Sequence, residues 1–263
     1  VIADDGAGEW VGFVATANPH DASSAHGNVA LRFTGPAVAD LYATECAVLK
    51  MSRIELPEIS VQPASPASSL TTVQVVTERY IKLALLDTID SAVGGDDLSL
   101  VLLYLSDHDV VSALNAASDR GVNVRLILDT NQDAFGMRKV GIPNQPVATD
   151  LVTRGVRIRW AYTRGEQCHS KMLLHRHARD ITLILGSANF TRRNLDNFNL
   201  ETDVVVRGTS DAPALAIATR VFERLWHNEE GKTYTLDYEV YGGRKPWRYA
   251  LYWFMEKTGI STF

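Results

Sequence analysis

Two stretches of the sequence echo one another, and a chain that repeats a supersecondary unit buries its apolar faces by packing the copies together. The first, "GFVATANPHDASSAHGNVALRFTGPAVADLYATECAVL", opens at Gly12, and the second, "LILGSANFTRRNLDNFNLETDVVVRGTSDAPALAIATRVFERLW", at Leu183. In each, an apolar strand runs into a small-Ala-Asn turn, Thr16-Ala17-Asn18 or Ser187-Ala188-Asn189. A polar loop and an alternating strand follow, from Asn28 to Phe33 and from Asp203 to Arg207. Each copy then passes a proline, Pro36 or Pro213, into an Ala-rich amphipathic helix, as a helix start permits.

The material between the copies has no counterpart before Gly12. Residues 57–69 are rich in Pro, Ser and Ala and lack a helical period, so 56–71 is expected to be a linker. Beyond it, "TVQVVT" reads as a β-branched strand and "YIKLALLDTIDSAV" as a helix stopped at Gly94-Gly95. The continuous apolar run "LSLVLLYL" suits a strand buried on both faces. A helix capped by Ser106 or Asp107, with His108 in its first turn, leads to the strand "NVRLILD". Residues 130–149 read as a long loop, followed by the helix "ATDLVTRG", the strand "VRIRWAY", and a hairpin turning around residues 176–180. This order predicts an α/β fold with a mixed β-sheet flanked by helices. Residues 72–228 make one complete repeat, and residues 1–55 the C-terminal part of a preceding one. Residues 229–263 form an aromatic-rich tail, whose "PWRYALYWFMEKTG" suits an amphipathic helix, either docked on its own domain or lying on a membrane surface.

Composition narrows the function classes. Across 263 residues, a hydrophobic fraction of 46% and a charged fraction of 22% describe an ordinary globular chain. The net charge of −5 argues against a broad electrostatic grip on nucleic acid but leaves room for a local basic cleft. No apolar run reaches the ~18 residues of a membrane span. Cys46 and Cys168 are expected as buried free thiols. The chain opens on Val1 with no basic leader, so upstream residues are expected and compartment is left open.

The chemistry concentrates in "HSKMLLHRHARDITLILGSANFTRRN". His169 and Lys171 stand two apart on a predicted strand, so both point to one face. The Gly186-Ser187-Ala188-Asn189 turn ends the next strand and returns beside the histidine, with Glu201 within reach. An imidazole can attack phosphorus or protonate a leaving oxygen. An ammonium and an amide can hold the non-bridging oxygens, and a carboxylate on the other ring nitrogen can fix the tautomer. None of these roles needs a metal or a cofactor.

His-x-Lys followed by Gly-Ser-x-Asn resembles the phospholipase D superfamily, and "TANPHDASS" resembles the matching turn in the first half of bacterial two-motif members such as cardiolipin-synthase-like proteins. The resemblance implies a phospholipase D-like fold and a two-step reaction. One histidine forms a phosphohistidine; the other protonates the leaving alcohol, then activates water or an acceptor alcohol. It makes His169 the general acid and base, with Lys171, Ser187 and Asn189 on the phosphate and Glu201 orienting His169. In the partial copy, Thr16 matches Ser187 and Asn18 matches Asn189, while His26 falls near the place of Glu201 and reaches the same cleft. It further implies a bacterial cytoplasmic or envelope setting.

Two departures stand out. The family aspartate five positions after the lysine is Arg176 here, with Asp180 displaced into the next strand. No His-x-Lys precedes Asn18, so an N-terminal fragment or separate chain is expected to carry it. The remaining histidines and arginines have blander readings. His175 and His177 are expected in a solvated hairpin, His20 in a polar loop, and Arg164, Arg192 and Arg193 in solvent rather than on a phosphate. The favoured substrate is a phospholipid, with membrane-peripheral contact allowed. A nuclease of the same superfamily and a catalytically decayed binding protein are the alternatives.

Overall fold

The computed structural model describes residues 1–6, 8–19, 21–55, 59, 71–134 and 137–258. The expected linker, 56–71, lies outside these apart from Ile59 and Thr71, as does His20. The chain opens with a three-stranded antiparallel meander, β1 (Ile2–Asp4), β2 (Trp10–Ala15) and β3 (Ala30–Phe33), followed by helix α1 (Ala37–Met51).

The second unit runs β4 (Thr71–Thr77), α2 (Arg79–Asp90), β5 (Asp97–Leu102), α3 (His108–Asp119) and β6 (Asn123–Leu128). A two-residue hairpin, β7 (Asp133–Ala134) and β8 (Met137–Arg138), precedes α4 (Asn144–Thr153) and β9 (Arg157–Ala161). Then come β10 (Lys171–His177), β11 (Asp180–Gly186), the single turn α5 (Arg192–Leu195), β12 (Thr202–Thr209) and α6 (Pro213–His227), before β13 (Thr235–Asp237) and α7 (Pro246–Thr258). These strands form a mixed sheet in the order β13-β9-β6-β5-β10-β11-β12-β4. Strands β5, β6 and β9 are parallel, as βαβ crossovers require, and the other pairs are antiparallel.

Period-two alternation divides the apolar strand residues between two cores. Leu98, Leu100, Leu102, Leu126, Leu128, Leu173, Ile184 and Val205 face α2, α3 and α4. Val101, Ile127, Met172, Leu174, Leu183, Leu185, Val204 and Val206 face the other way. There they meet Leu215 and Phe222 of α6 and Val14, Phe33, Val38 and Leu41 of the first unit. The uninterrupted apolar runs in the sequence therefore mark a sheet covered on both faces.

The repeat is visible as topology. The run β1-β2-β3-α1 has the same antiparallel order as β10-β11-β12-α6. Helix α3 begins at His108 and is capped by Asp107, whose carboxylate accepts from the Asp109 and Val110 amides, 3.1 Å each. Helix α4 starts four residues earlier than the sequence pattern predicts. Pro143 and Pro146 had suggested a loop, but Pro146 falls in the first turn, where a missing N–H leaves no intrahelical bond unmade. The tail docks on its own domain: Tyr252 of α7 is buried and donates to Ser106 O at 3.1 Å, and Tyr249 donates to Pro146 O at 2.9 Å. Cys46 and Cys168 are unpaired and half-buried.

Candidate active site

The site lies where the chain enters β10, beside the C-terminal ends of β5 and β6. Leu103 N donates to Ser170 O at 3.0 Å, and Cys168 N donates to the buried Asp129 carboxylate at 2.7 Å. The side-chain amides of Asn131 and Asn144 tie the post-β5 loop down through Leu103 O, 2.8 Å each. The segment 167–170 is thus fixed from the sheet side before it delivers His169 and Lys171.

From the other side it is gripped by the loop of the first unit. Gly27 N donates to Gln167 O at 2.9 Å, Gln167 N donates to His26 Nδ1 at 3.0 Å, and Ser170 Oγ donates to Gly27 O at 3.0 Å. The His26 and His169 rings stack, with centroids 5.8 Å apart and planes 24° apart. His26 therefore stands beside His169.

Asn28 is the residue that sequence reasoning passed over. Its Oδ1 lies 3.2 Å from His169 Nδ1 and also accepts from Thr16 Oγ1 at 3.1 Å. Its Nδ2 donates to Ser23 O at 2.8 Å and His26 O at 3.2 Å, which fixes which end of the amide is oxygen. Facing an acceptor, Nδ1 of neutral His169 carries the proton and Nε2 keeps its lone pair. The ring nitrogen expected to meet Glu201 meets Asn28.

The second unit shows why. Ser187 Oγ donates to Glu201 and accepts from Thr202 N at 3.0 Å, while Ser187 N donates to Thr202 O at 3.1 Å. In the first unit Thr16 Oγ1 donates to Asn28 and accepts from Val29 N at 3.0 Å, while Thr16 N donates to Val29 O at 2.9 Å. Asn28 is thus the structural counterpart of Glu201, and His26 stands two residues before that place. Asn18 is exposed, and its amide N donates to Ser23 Oγ at 3.0 Å; the structure brings Thr16 and His26, not Asn18, into the His169 network.

Lys171 is buried almost completely. Its Nζ donates to His169 O at 2.9 Å and lies 3.0 and 3.2 Å from the two ring nitrogens. An atom so close to both, whose lone-pair directions diverge, sits over the ring face rather than in its plane. Burial pushes the Lys171 ammonium down to about 7, against the charges of Glu201, Cys168 and Asp203. Asp203 is fully buried, which raises its pKa despite the donation from Ala188 N at 3.1 Å.

The strand register sets Leu185 opposite Met172, so the Gly186–Asn189 turn leaves the sheet beside Lys171. Only glycine fits at 186: a Cβ there would stand 2.2 Å from Asp203 Oδ1 and 2.4 Å from Thr202 O. Glu201 also accepts from Asn194 Nδ2. Asn189 Oδ1 is buried without a hydrogen-bond partner among the described residues. A buried ammonium and an amide suit an oxyanion such as phosphate, and the imidazole beside them can exchange a proton with it.

Of the outlying histidines, His177 is exposed as expected, but His175 is buried, not solvated; its Nε2 lies 2.9 Å from Asp96, which also meets His177 Nδ1 at 2.8 Å. Arg176, at the place of the family aspartate, pairs with Asp97 across the strands.

Fold and site together define a phospholipase D-like protein. The chain belongs to the family described as cardiolipin synthase, PLD-like domain, whose model matches residues 85–226. Among solved structures it is similar to polyphosphate kinase from Porphyromonas gingivalis, at 14% identity and a TM-score of 0.53, over 97% of this chain and 37% of that one. It is similar to phosphatidylserine synthase from Haemophilus influenzae at 11% identity and a TM-score of 0.51, over 86% and 55%. It also resembles Nuc, a phospholipase D family member from Salmonella typhimurium, at 22% identity and a TM-score of 0.48, over 64% and 99%. No curated protein matches.

Proposed function

We propose that this chain supplies the acid–base half of a metal-independent phosphodiesterase or phosphatidyltransferase that works through a phosphohistidine on a phospholipid. The observation that carries the reading is the state of His169: an oriented amide oxygen at Nδ1 leaves Nε2 to exchange a proton, directly over the buried Lys171.

A second histidine, from an N-terminal segment or partner chain, attacks phosphorus. A P–N bond forms as the bond to the leaving oxygen breaks, and His169 imidazolium gives that oxygen its proton. Neutral His169 then takes a proton from water or an acceptor alcohol, whose oxygen attacks the phosphorus as the P–N bond breaks and the second histidine leaves. Lys171 and Asn189 hold the non-bridging oxygens, while Ser187 keeps Glu201 in place. Since Asn28 of one unit serves His169 of the other, its counterpart Glu201 serves the second histidine by the same pseudo-symmetry.

Phospholipid is favoured by α7, which exposes Trp247, Trp253, Phe254 and part of Leu251, with Arg244, Lys245, Arg248 and Lys257 beside them. The test is cleavage of phospholipid vesicles and of DNA by the full-length gene product with chelator present, and by its His169→Ala variant. Lipid turnover that survives chelation and is lost on substitution is expected. Activity in His169→Ala would sink the assignment, and DNA cleavage without lipid cleavage would transfer it to the nuclease reading.

A further inference from the structure

Helix α7 docks through one face and carries a second apolar face outward. Arg248, Tyr249, Tyr252, Met255 and Glu256 recur at helical spacing and turn inward. Trp247, Leu251 and Phe254 stand one above another on the other side, with Trp253 beside them, and each is at least 37% exposed. A contiguous apolar patch rimmed by charge marks an interaction surface. Here the rim is basic: Arg244, Lys245 and Lys257 are exposed, and Lys257 Nζ lies 4.6 Å from the centre of the Trp253 ring. Residues 242–258 hold four basic side chains and one acid, the buried Glu256, for a net charge of +3. The whole chain is at −5, so the remainder carries −8 and the basic charge of α7 stands apart from it.

We infer that the outward face of α7 lies flat in the surface of an anionic bilayer and holds the active-site end of the sheet against it. The inference deepens the phospholipid reading, on which its purpose rests, by naming the surface and the charge of the lipid it meets. A second copy meeting this face with its own would bring two basic rims together. An anionic bilayer instead offers an apolar layer to the rings and negative charge to the rim. Among the described residues no helix is long and apolar enough to cross a membrane, so α7 lies on the bilayer and does not span it. Its place in the fold suits the role. Tyr252 donates to Ser106 O at 3.1 Å, Ser106 N donates to Phe190 O at 2.9 Å, and Leu103 N donates to Ser170 O at 3.0 Å. The loop 103–106 thus ties α7 to the residues that adjoin Asn189 and His169 in the chain.

Co-sedimentation of the intact chain with phosphatidylcholine vesicles, with and without phosphatidylserine, reads the surface without any turnover. Binding is expected only where phosphatidylserine is present, weakened by salt and accompanied by a blue shift of tryptophan emission. Two double variants separate the rings from the rim: Trp247→Ser with Phe254→Ser, and Lys245→Gln with Lys257→Gln. All four side chains are exposed, so the unfolding midpoint should not move, while affinity for the mixed vesicles should fall about tenfold or more in each. No binding, equal binding to both kinds of vesicle, or wild-type affinity in either double variant would overturn the inference. A dimer in solution that Trp247→Ser with Phe254→Ser dissociates would assign the face to a second copy and overturn it as well. His169→Ala should bind vesicles as the wild type does. Vesicle binding without lipid turnover by the full-length product would leave this inference standing while the phospholipid reading fell. Turnover of dispersed phospholipid by a protein that ignores vesicles would do the reverse.

Discussion

Replacing Asn28 by aspartate puts a carboxylate where the structure has an amide, 3.2 Å from His169 Nδ1. Shape is conserved and one charge is added. With charge centres about 4 Å apart and an effective dielectric of about 20, the attraction to an imidazolium is ~4 kcal/mol. Asn28 is half-buried, and solvent and the Lys171 ammonium both oppose this attraction. The expected net effect is a His169 pKa higher by about 1 to 2 pH units. The cost is the loss of Nδ2 donation to Ser23 O and His26 O, about 1 kcal/mol each. The His169 Cε1 proton should be followed by NMR across pH in both proteins, with thermal unfolding alongside. The sign is fixed: a raised pKa keeps the imidazolium to higher pH, so the alkaline limb of kcat/KM should move up with it if His169 is the general acid. Coincident titration curves for Asn28→Asp and the wild type would refute the claim that Asn28 controls this ring.

Lys171 loses its proton near pH 7 in the folded chain, so binding of dimethyl phosphate, a diester of constant charge, should weaken up to about tenfold per pH unit above that. Calorimetric affinities that stay flat from neutral to alkaline pH would contradict it. Lys82 joins Asp107 at 2.9 Å, Asp109 at 2.7 Å and Asp196 at 2.9 Å; burial opposes its charge, but these partners hold its pKa above the usual lysine range. Lys82→Met should therefore cost about 1–3 kcal/mol in denaturant unfolding by stranding the buried α3 cap Asp107, and no loss would show that the cluster is only a solvated surface. Gly186→Ala should cost about 1–3 kcal/mol and disturb the Ser187–Glu201 pair, because its methyl group has no space beside Asp203; an unchanged unfolding midpoint would refute that packing argument.

The sheet was legible because its chemistry is local and periodic: β-branched and apolar runs of strand length, and histidine and lysine two apart on one of them. Asn28 was not legible, for a concrete reason. Counting forward from the small-Ala-Asn turn, the first unit reaches its partner after 12 residues (Thr16 to Asn28), the second after 14 (Ser187 to Glu201). The two-residue difference in loop length carries the count past Asn28 to Ala30, and His26 is the nearest histidine or acidic residue to that place. Counting back from the next strand would have succeeded, since Asn28 and Glu201 each stand one residue before the amide that returns to the Thr or Ser hydroxyl. The burial of His175 was missed because a histidine beside a hairpin is bland in sequence, and Asp96, its partner, is remote in the chain.

The crossing of the two units explains more than one hydrogen bond. In the second unit, the turn, the strand and the Ser187–Glu201 pair are all present, yet the acceptor at His169 Nδ1 comes from the first unit. The first unit in turn buries Val14, Phe33, Val38 and Leu41 against the sheet face that carries Met172 and Leu185. Packing and tautomer control thus depend on the same docking. A shift of that interface would uncover apolar surface and release the orienting amide together. Substitutions at Val38 or Leu41 are therefore expected to perturb His169 from a distance, through the position of loop 26–28 rather than through any contact with the ring.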